Sequence, residues 1–470
     1  MMAKGKETKP ELRRDHLQLL GQGTYGCVYR PAINCKTLKP ISKNYVSKIQ
    51  IKDDLSQTEI DFGKRIVANV RNYSFFFAPI LETCDLRVSQ IDDEQLNQCE
   101  VVEKNQTKPF SSNKLDYVGK QTFGPYFETS LSNATTPKKT RQFLMKLVDT
   151  HIYLLHSVER LNNQNILHLD IKENNVMYHE KNHVFVLIDF GLSVDSTSLD
   201  LSNYTKDKNQ KPFGILVDSY IPWNLDIILL SYIARQIQPK NEKGKYAQLE
   251  KEEFDKTISN TTDIKRIVTK FIKDNVVFRE NGFKENEIAE FEKKYHTYIQ
   301  TWKGKTWKEA WNELREHHKS WDAYGINVMV LRLLMNMNIT QFIDEDTKEK
   351  PAVAPQNQIL DTVRLAFSGN TQRLETIHFF KQYLDFLKTS ILTIPSDRPY
   401  PLDCISKIKN LFDKIPKGMM NRWSDYMEKR VTSPANLEKV RRNINEDTLQ
   451  NIESDNHIRK QFADIKIVAQ

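Results

Sequence analysis

Two carboxylates, a lysine and an asparagine lie close together in the sequence, on short turns between apolar segments. They are Asp170, Lys172, Asn175 and Asp189, within the stretch 166–191. An acid that accepts a proton, a cation that neutralises phosphate and oxygen ligands for a divalent metal are the parts that phosphoryl transfer requires. The spacing therefore predicts that the turns aim these side chains into one cleft. The alternative is that both aspartates only close β-turns.

A second group of candidate residues lies near the start of the chain. It is the run Leu20-Gly21-Gln22-Gly23-Thr24-Tyr25-Gly26-Cys27-Val28. Its glycines have G-x-G-x-x-G spacing but lie between two strand-like segments, whereas in a dinucleotide-binding fold such glycines open a helix. A glycine hairpin has no side chains in the way, so its backbone can close over a triphosphate. An ordinary hairpin with glycines at its turn is the alternative.

A cation and an acid follow the hairpin. Lys48 lies in the alternating, strand-like run 44–51, where a cation would reach the α- and β-phosphates of a nucleotide. The helix-like run 55–70 carries Glu59, which we expect to pair with Lys48. Ser56 and Glu59 also match a capping box with Ser56 as the N-cap, so Glu59 has a competing structural explanation.

The candidate residues must be positioned by strands and helices. The periodicity of the apolar residues predicts an α+β chain, with a small β-rich part followed by a larger helical part. From Pro137 to Arg160 the apolar spacing predicts a long amphipathic helix that leads into the candidate site. The predicted segments are a polar N-terminal arm (1–14), a β-rich lobe (15–114) with a polar insertion (85–113), a hinge (115–119), a core that holds the candidate site (120–235), a helical insertion (236–319), further helices (320–410) and a charged helical tail (411–470).

Composition limits the class of protein. A chain of 470 residues with 39% hydrophobic residues can bury a full core. The net charge of +8 comes from 69 basic and 61 acidic residues without a long basic block, so nucleic acid is not an expected partner. No apolar run is long enough to span a bilayer, so we expect no membrane partner. The charged N-terminus has neither a signal-peptide core nor a myristoylation glycine.

The cysteines are too sparse and too unevenly spaced to predict a disulfide framework or a zinc site. They are Cys27, Cys35, Cys84, Cys99 and Cys404. We therefore expect buried free thiols and a reducing, cytoplasmic compartment.

Taken together, residues 15–410 resemble the protein kinase family. The hairpin 20–28 resembles the loop that covers the ATP phosphates, and Val46-Ser47-Lys48 is similar to the strand that carries the ATP lysine. His168-Leu169-Asp170 with Asn175 resembles the catalytic loop, and Asp189-Phe190-Gly191 the magnesium motif. The resemblance implies a bilobal kinase-like fold in which Lys48, Asp170, Asn175 and Asp189 meet at one nucleotide cleft.

The same resemblance assigns roles to the candidate residues. Asp170 and Lys172 would be catalytic, Asn175 and Asp189 would hold Mg²⁺, and the hairpin with Lys48 and Glu59 would bind ATP. Lys172, two residues after Asp170, is similar to the serine/threonine branch, which implies protein hydroxyls as acceptors. The alternatives are a pseudokinase that acts as a scaffold, and a small-molecule kinase of related fold.

Some positions depart from the family pattern. Leu169 stands where many members carry arginine, which implies activity that is not switched by phosphorylation of the activation segment. No Ala-Pro-Glu is present, and Asp226 is the candidate partner for Arg398. Asp322 corresponds to the aspartate that braces the catalytic loop, although its place near a helix start also suits a cap. Ser47 would add one hydroxyl against the adenine.

A narrower resemblance is to the serine/threonine kinases of large nucleocytoplasmic DNA viruses, such as iridoviruses. It depends on the hairpin that runs into Cys27-Val-Tyr-Arg-Pro, on Cys35 and on the helical block before Asp322. It implies a protein of the host cytoplasm with virion components among its partners.

Overall fold

A computed structural model shows the fold of the chain. It describes residues 17–23, 26–34, 37, 39, 41–87, 98–133, 137–201, 213, 219–236, 254–280, 282–336 and 370–412. The predicted arm 1–14, the site residues Thr24 and Tyr25, and the tail beyond 412 lie outside these ranges. The chain divides into two compact units: Asn69–Phe77 and the residues from Val118 onward form unit 2, and the remainder forms unit 1.

Unit 1 is built on a five-stranded antiparallel sheet in the order β1-β2-β3-β5-β4. Its elements are β1 (Gln18–Gln22), β2 (Gly26–Arg30), β3 (Tyr45–Ile51), α1 (Asp54–Asn69), β4 (Glu82–Leu86), α2 (Glu100–Lys104) and β5 (Phe110–Asp116). The predicted strands on either side of the glycine turn are confirmed by β1 and β2, which pair antiparallel.

Both faces of this sheet are covered, because alternate residues of β3 enter two separate apolar clusters. Ile49 packs with Tyr29 and Phe110 on one face. Val46 packs with Ile60 of α1 on the other. Since successive side chains of a strand point to opposite faces, Lys48 shares the face of Val46 and α1.

Strand β5 carries polar residues that are fully buried. The Ser112 hydroxyl donates to the Ser47 hydroxyl at 3.2 Å, and the Thr83 hydroxyl donates to the Asn113 side-chain oxygen at 2.7 Å. These bonds let a polar sequence occupy the interior of a sheet. The interpretation of 85–113 as an insertion is therefore wrong for residues 110–113, which lie in β5.

The expectation of free thiols is also wrong. A disulfide joins Cys27 of β2 to Cys99, which directly precedes α2, across 72 residues of sequence. Cys84 is disulfide-bonded as well, and Cys404 is the free buried thiol of the described residues. The spacing gave no signal because β2 and α2 come together only through the folded sheet. The inference of a reducing compartment loses its basis.

Unit 2 is mainly helical, with short antiparallel strand pairs β6-β9 and β7-β8. Its strands are β6 (Ile166–Leu167), β7 (Val176–His179), β8 (Val184–Leu187) and β9 (Val194–Asp195). Its helices are α3 (Phe123–Ser132), α4 (Pro137–Asn162), α5 (Leu225–Gln236), α6 (Thr262–Asp274), α7 (Val276–Glu280), α8 (Glu285–Gln300), α9 (Trp307–Glu316), α10 (Trp321–Asn336), α11 (Asn370–Ile391) and α12 (Pro401–Phe412).

Helix α4 is the centre of unit 2 and confirms the predicted amphipathic helix. It packs against α10 and α12, and its buried positions recur at helical spacing, as in Leu147, Leu154 and Leu161. The described part of 236–319 is mainly helical, and Trp302 and Trp311 are buried in the core. The Trp311 indole donates to the Leu199 carbonyl at 2.9 Å. Among the described helices, none has the length and hydropathy to cross a membrane.

Candidate active site

The loop that carries Asp170 follows β6 and is held by one buried carboxylate. Asp322, in the first turn of α10, accepts hydrogen bonds from the backbone N–H of His168 at 2.7 Å and of Leu169 at 2.9 Å. Burial raises the pKa of Asp322, while His168 and the two backbone donors act in the opposite direction. Asp322 therefore braces the loop, as the resemblance implies.

Leu169 is the unusual residue of this loop. Its φ is 57°, in the left-handed region that a side chain with a Cβ rarely adopts. Its N–H is bound to Asp322, and its carbonyl accepts a hydrogen bond from the Trp223 indole at 2.8 Å. Hydrogen bonds to its N–H and to its carbonyl hold this conformation. The turn that results places the Asp170 carboxylate next to Lys172 and Asn175.

The structure brings three of the predicted residues into direct contact. Lys172 Nζ lies 2.9 Å from Asp170 Oδ1. The Asn175 side-chain amide donates to Asp170 Oδ2 at 2.8 Å and to the Asp170 carbonyl at 2.9 Å. Asp170 is buried, with 6% of its surface exposed, so its carboxylate is oriented by these donors rather than by solvent.

The segment that carries Asp189 follows β8 and is bonded to the loop of Asp170 through Ile188. The N–H of Ile188 donates to the Asn175 carbonyl at 3.0 Å, and the His168 ring bonds to the Ile188 carbonyl at 3.1 Å. Asp189 follows with a φ of 65°, and the buried Phe190 ring packs 4.8 Å from the His168 ring. Ile188 and Asn175 thus tie the Asp189 segment to the loop of Asp170.

The donor set of Asn175 and Asp189 is suited to a hard cation. Both amide bonds of Asn175 Nδ2 go to Asp170, which fixes the orientation of the amide group. The remaining Asn175 oxygen and the Asp189 carboxylate are oxygen ligands of the kind that Mg²⁺ prefers. The chemistry of these two donors fits the predicted metal, and their meeting at one ion stays a prediction.

In unit 1 the glycines of the hairpin differ in what they allow. A Cβ at Gly26 would clash with the Ile49 carbonyl and lie 2.7 Å from Gln50 Cβ, so this glycine is required by the close packing of β2 on β3. Of the residues that the structure describes, none lies within 4 Å of a Cβ built at Gly21, and a Cβ at Gly23 meets the Gly26 carbonyl, 3.8 Å away. The open positions are where a phosphate could approach the backbone.

The side chains of the hairpin do not all face the same way. Leu20 and Val28 pack on the cluster of Val46, and Val28 is opposite Lys48 in the sheet register. The Cys27 side chain lies on the other face, bonded to Cys99, so only its backbone remains for a ligand. Gln22 is exposed, and its side-chain oxygen accepts from the Glu100 N–H at 3.2 Å.

Lys48 and Glu59 form the expected pair. Lys48 Nζ donates to both Glu59 oxygens, at 2.9 and 2.8 Å, and Glu59 is only 3% exposed. The capping explanation is wrong, because Asp53 caps α1: its carboxylate accepts from the Ser56 N–H at 2.8 Å while the Ser56 hydroxyl accepts from the Asp53 N–H at 2.9 Å. The meeting of Lys48 with Asp170, Asn175 and Asp189 stays a prediction.

Ser47 does not fit the role that was expected for it. Its hydroxyl accepts hydrogen bonds from the Ile33 N–H at 2.8 Å and from the Ser112 hydroxyl at 3.2 Å. Strand alternation places it on the face opposite Lys48. The predicted contact of its hydroxyl with adenine is therefore wrong.

The structure adds one residue that the sequence did not indicate. The Tyr220 hydroxyl donates to Asp170 Oδ1 and accepts from Lys172 Nζ at 2.8 Å. The sequence around it, Tyr220-Ile221-Pro222-Trp223, contains no pattern that indicates a contact with Asp170.

The predicted pair of Asp226 and Arg398 is confirmed and fully buried. Arg398 Nη2 lies 3.0 Å from Asp226 Oδ1, and Nη1 donates to Oδ2. The same carboxylate accepts from the Tyr295 hydroxyl at 3.0 Å and the Trp321 indole at 3.1 Å. This pair joins α5 to α8, to α10 and to the loop before α12.

Comparison with known proteins gives little beyond this geometry. No model of a protein family matches the chain, and no curated protein matches it. Among solved structures, the chain is similar to a Stt7 homologue from Micromonas algae soaked with ATP, with 15% identity, 86% of this chain and 96% of that chain covered, and a TM-score of 0.39. At this level the likeness carries no argument about function, and the narrower resemblance to viral kinases finds no support in it.

Proposed function

We propose that this chain is an ATP-dependent protein kinase that transfers the γ-phosphoryl group to serine or threonine hydroxyls. The observation that carries the proposal is the buried Asp170 carboxylate, held by Lys172 at 2.9 Å and by Asn175 at 2.8 Å on a loop braced by Asp322. An oriented carboxylate beside a cation is the combination that phosphoryl transfer uses.

In this proposal Asp170 accepts or orients the proton of the acceptor hydroxyl. Lys172, which is partly exposed, neutralises charge on the phosphoryl group as it is transferred. Both donors on Asp170 Oδ2 come from the same loop, so this oxygen keeps its orientation when a substrate arrives, whereas a substrate hydroxyl at Oδ1 has to displace the Tyr220 hydroxyl.

Unit 1 supplies the binding of the nucleotide. Lys48, oriented by Glu59, contacts the phosphates, and the backbone at Gly21 and Gly23 lies over them. Leu20 and Val28 share the apolar cluster next to Lys48, which suits contact with a flat base.

Asn175 and Asp189 would hold Mg²⁺ through their side-chain oxygens. When bound, the ion supplies neutralising charge to the phosphate oxygens. The chain's own contribution is to fix these oxygens through the Asn175–Asp170 and Ile188–Asn175 bonds.

Two features support this choice of acceptor. Lys172 argues for serine and threonine hydroxyls. Lys172 and the helix that starts at Trp321, which carries Asp322, together argue for protein over small-molecule acceptors. A panel of serine, threonine and tyrosine peptides together with small alcohols tests both preferences. Transfer to small alcohols alone would favour the small-molecule kinase.

The proposal is tested by incorporation of labelled phosphate from Mg-ATP into added protein. Lys48→Met removes the phosphate cation and should reduce incorporation by about 10²-fold or more, the scale on which such electrostatic groups act. Lys64→Met is the matched control, since Lys64 is an exposed residue of α1 and should transfer phosphate like the parent. If the parent binds ATP but incorporates no phosphate, the alternative of a pseudokinase that acts as a scaffold is favoured instead.

A further inference from the structure

The acceptor position next to Asp170 is filled by the chain itself. An ionised carboxylate offers about four positions for hydrogen-bond donors. Within the described part of the chain, Lys172 Nζ lies 2.9 Å from Oδ1 and 3.1 Å from Oδ2, Asn175 donates to Oδ2 at 2.8 Å, and the Tyr220 hydroxyl donates to Oδ1. Among the donors that contact this carboxylate, Tyr220 is the hydroxyl.

The Tyr220 hydroxyl meets the geometric requirement for a phosphoryl acceptor. A group that gives up its proton must lie within hydrogen-bond reach of the base, and the Tyr220 hydroxyl is bound to Asp170. It also accepts a hydrogen bond from Lys172 Nζ at 2.8 Å, so the cation that would stabilise an incoming phosphoryl group is at the same oxygen.

The backbone of Tyr220 is anchored close to the loop that carries the base. The Trp223 N–H donates to the Tyr220 carbonyl at 3.0 Å, and the two rings pack edge to face with centroids 5.2 Å apart. The Trp223 indole is in turn bonded to the Leu169 carbonyl at 2.8 Å. Because these contacts hold the hydroxyl at the base, a reaction there would be intramolecular and would not depend on collision of two chains.

We propose that Tyr220 is a site of intramolecular phosphorylation, with Asp170 as the base. This inference rests on the proposed function; the preference for serine and threonine there concerns added substrates, whereas Tyr220 is held at the base by contacts within its own chain. The Tyr220 Oη–H bond breaks and its proton passes to Asp170, the bond from Oη to the γ-phosphorus of ATP forms, and the bond from that phosphorus to the β,γ-bridging oxygen breaks, so that ADP leaves. The product is phosphotyrosine at position 220, which carries roughly −1.5 to −2 charge beside Asp170.

The experiment uses the full chain, first treated with a phosphatase and then incubated with Mg-ATP and an added protein substrate. Peptide mapping by mass spectrometry follows position 220 over time at several protein concentrations. We expect phosphate on Tyr220 with a first-order rate constant that does not change with protein concentration, and none in Asp170→Asn or Tyr220→Phe. Tyr232→Phe is the matched control, because Tyr232 is a half-buried tyrosine of α5, and it should leave phosphate on Tyr220.

A mixing experiment separates transfer within one chain from transfer between chains. The Asp170→Asn chain, labelled with heavy nitrogen, keeps Tyr220 but lacks the base, and it is incubated with the unlabelled parent. The inference predicts phosphate only on the unlabelled Tyr220 peptide. Phosphate on the heavy peptide at the same rate would overturn it.

The other outcomes are equally distinct. If the added substrate is phosphorylated while Tyr220 of the parent stays unmodified, Tyr220 is a positioning residue and this inference is wrong, although the proposed function stands. In that case Tyr220→Phe would still change the rate of transfer to the added substrate, because the hydroxyl that contacts Asp170 is missing, although the parent carries no phosphate at position 220. If neither acceptor is phosphorylated, the proposed function fails and the inference fails with it.

Discussion

Leu169 has a φ of 57°, a conformation that costs a residue with a Cβ about 1 to 2 kcal/mol. The bonds that hold it come from two distant residues, Asp322 and Trp223. Their combined effect is that Asp170 is presented in a buried position with its carboxylate already oriented. At the scale of single residues, the site therefore depends on side chains that bond to the backbone of the loop and not to the Asp170 carboxylate.

The first prediction concerns the bracing carboxylate. Asp322→Ala leaves the buried N–H groups of His168 and Leu169 without an acceptor, and each such loss costs about 1 to 3 kcal/mol. We expect unit 2 to lose about 2 to 6 kcal/mol of unfolding free energy in urea denaturation, and the Leu169 amide to exchange its hydrogen faster.

The matched control is Asp385→Ala, at an exposed aspartate of α11, which should leave both readouts within experimental error of the parent. Equal unfolding free energies for the two variants would show that the brace does not hold the loop.

At the scale of elements, α4 is joined to α10 and α11 through one buried histidine. His151 Nδ1 accepts from the Tyr383 hydroxyl at 2.5 Å, and its Nε2 bonds to the Asn327 side-chain oxygen at 2.9 Å. These partners satisfy a neutral ring, and burial lowers the pKa of His151 to about 4. The native state therefore binds this proton less readily than the unfolded chain, whose histidine has a pKa near 6.5.

The second prediction follows from the sign of that difference. The contribution of His151 is fully present above pH 6.5, and it is lost as the pH falls through 6.5 toward 4, because the unfolded chain takes up the proton first. The loss is on the order of 3 kcal/mol. Urea denaturation at a series of pH values should show a shallower pH dependence for His151→Gln than for the parent. Parallel curves would mean that another group causes the acid sensitivity.

Helix α4 and the β1-β2 hairpin could be predicted from the sequence, whereas part of strand β5 could not. The long helix from Pro137 was predicted because its apolar residues repeat every three or four positions over many turns. The hairpin of β1 and β2 was predicted because glycine spacing and strand-forming residues agree. Strand β5 was missed at residues 110–113 because Ser112 and Asn113 are polar, and only the partners Ser47 and Thr83 across the sheet make their burial possible.

At the scale of the whole molecule, the chain separates a sheet unit that carries Lys48 from a helical unit that carries Asp170. The pair of Asp226 and Arg398 was predicted from the family resemblance, and it lies in the helical unit. What the resemblance did not provide is the place of Tyr220 and the disulfide of Cys27, because neither the contact of Tyr220 with Asp170 nor that of Cys27 with Cys99 is part of the motifs that carry it.

The most direct test of the central claim is the rate of phosphoryl transfer by Asp170→Asn in a single turnover at saturating Mg-ATP. Asparagine keeps the size of the side chain but cannot accept the proton of a hydroxyl. The account predicts a rate lower by about 10²- to 10⁴-fold, the usual contribution of a general base, with ATP affinity close to that of the parent. A transfer rate equal to that of the parent would contradict the account.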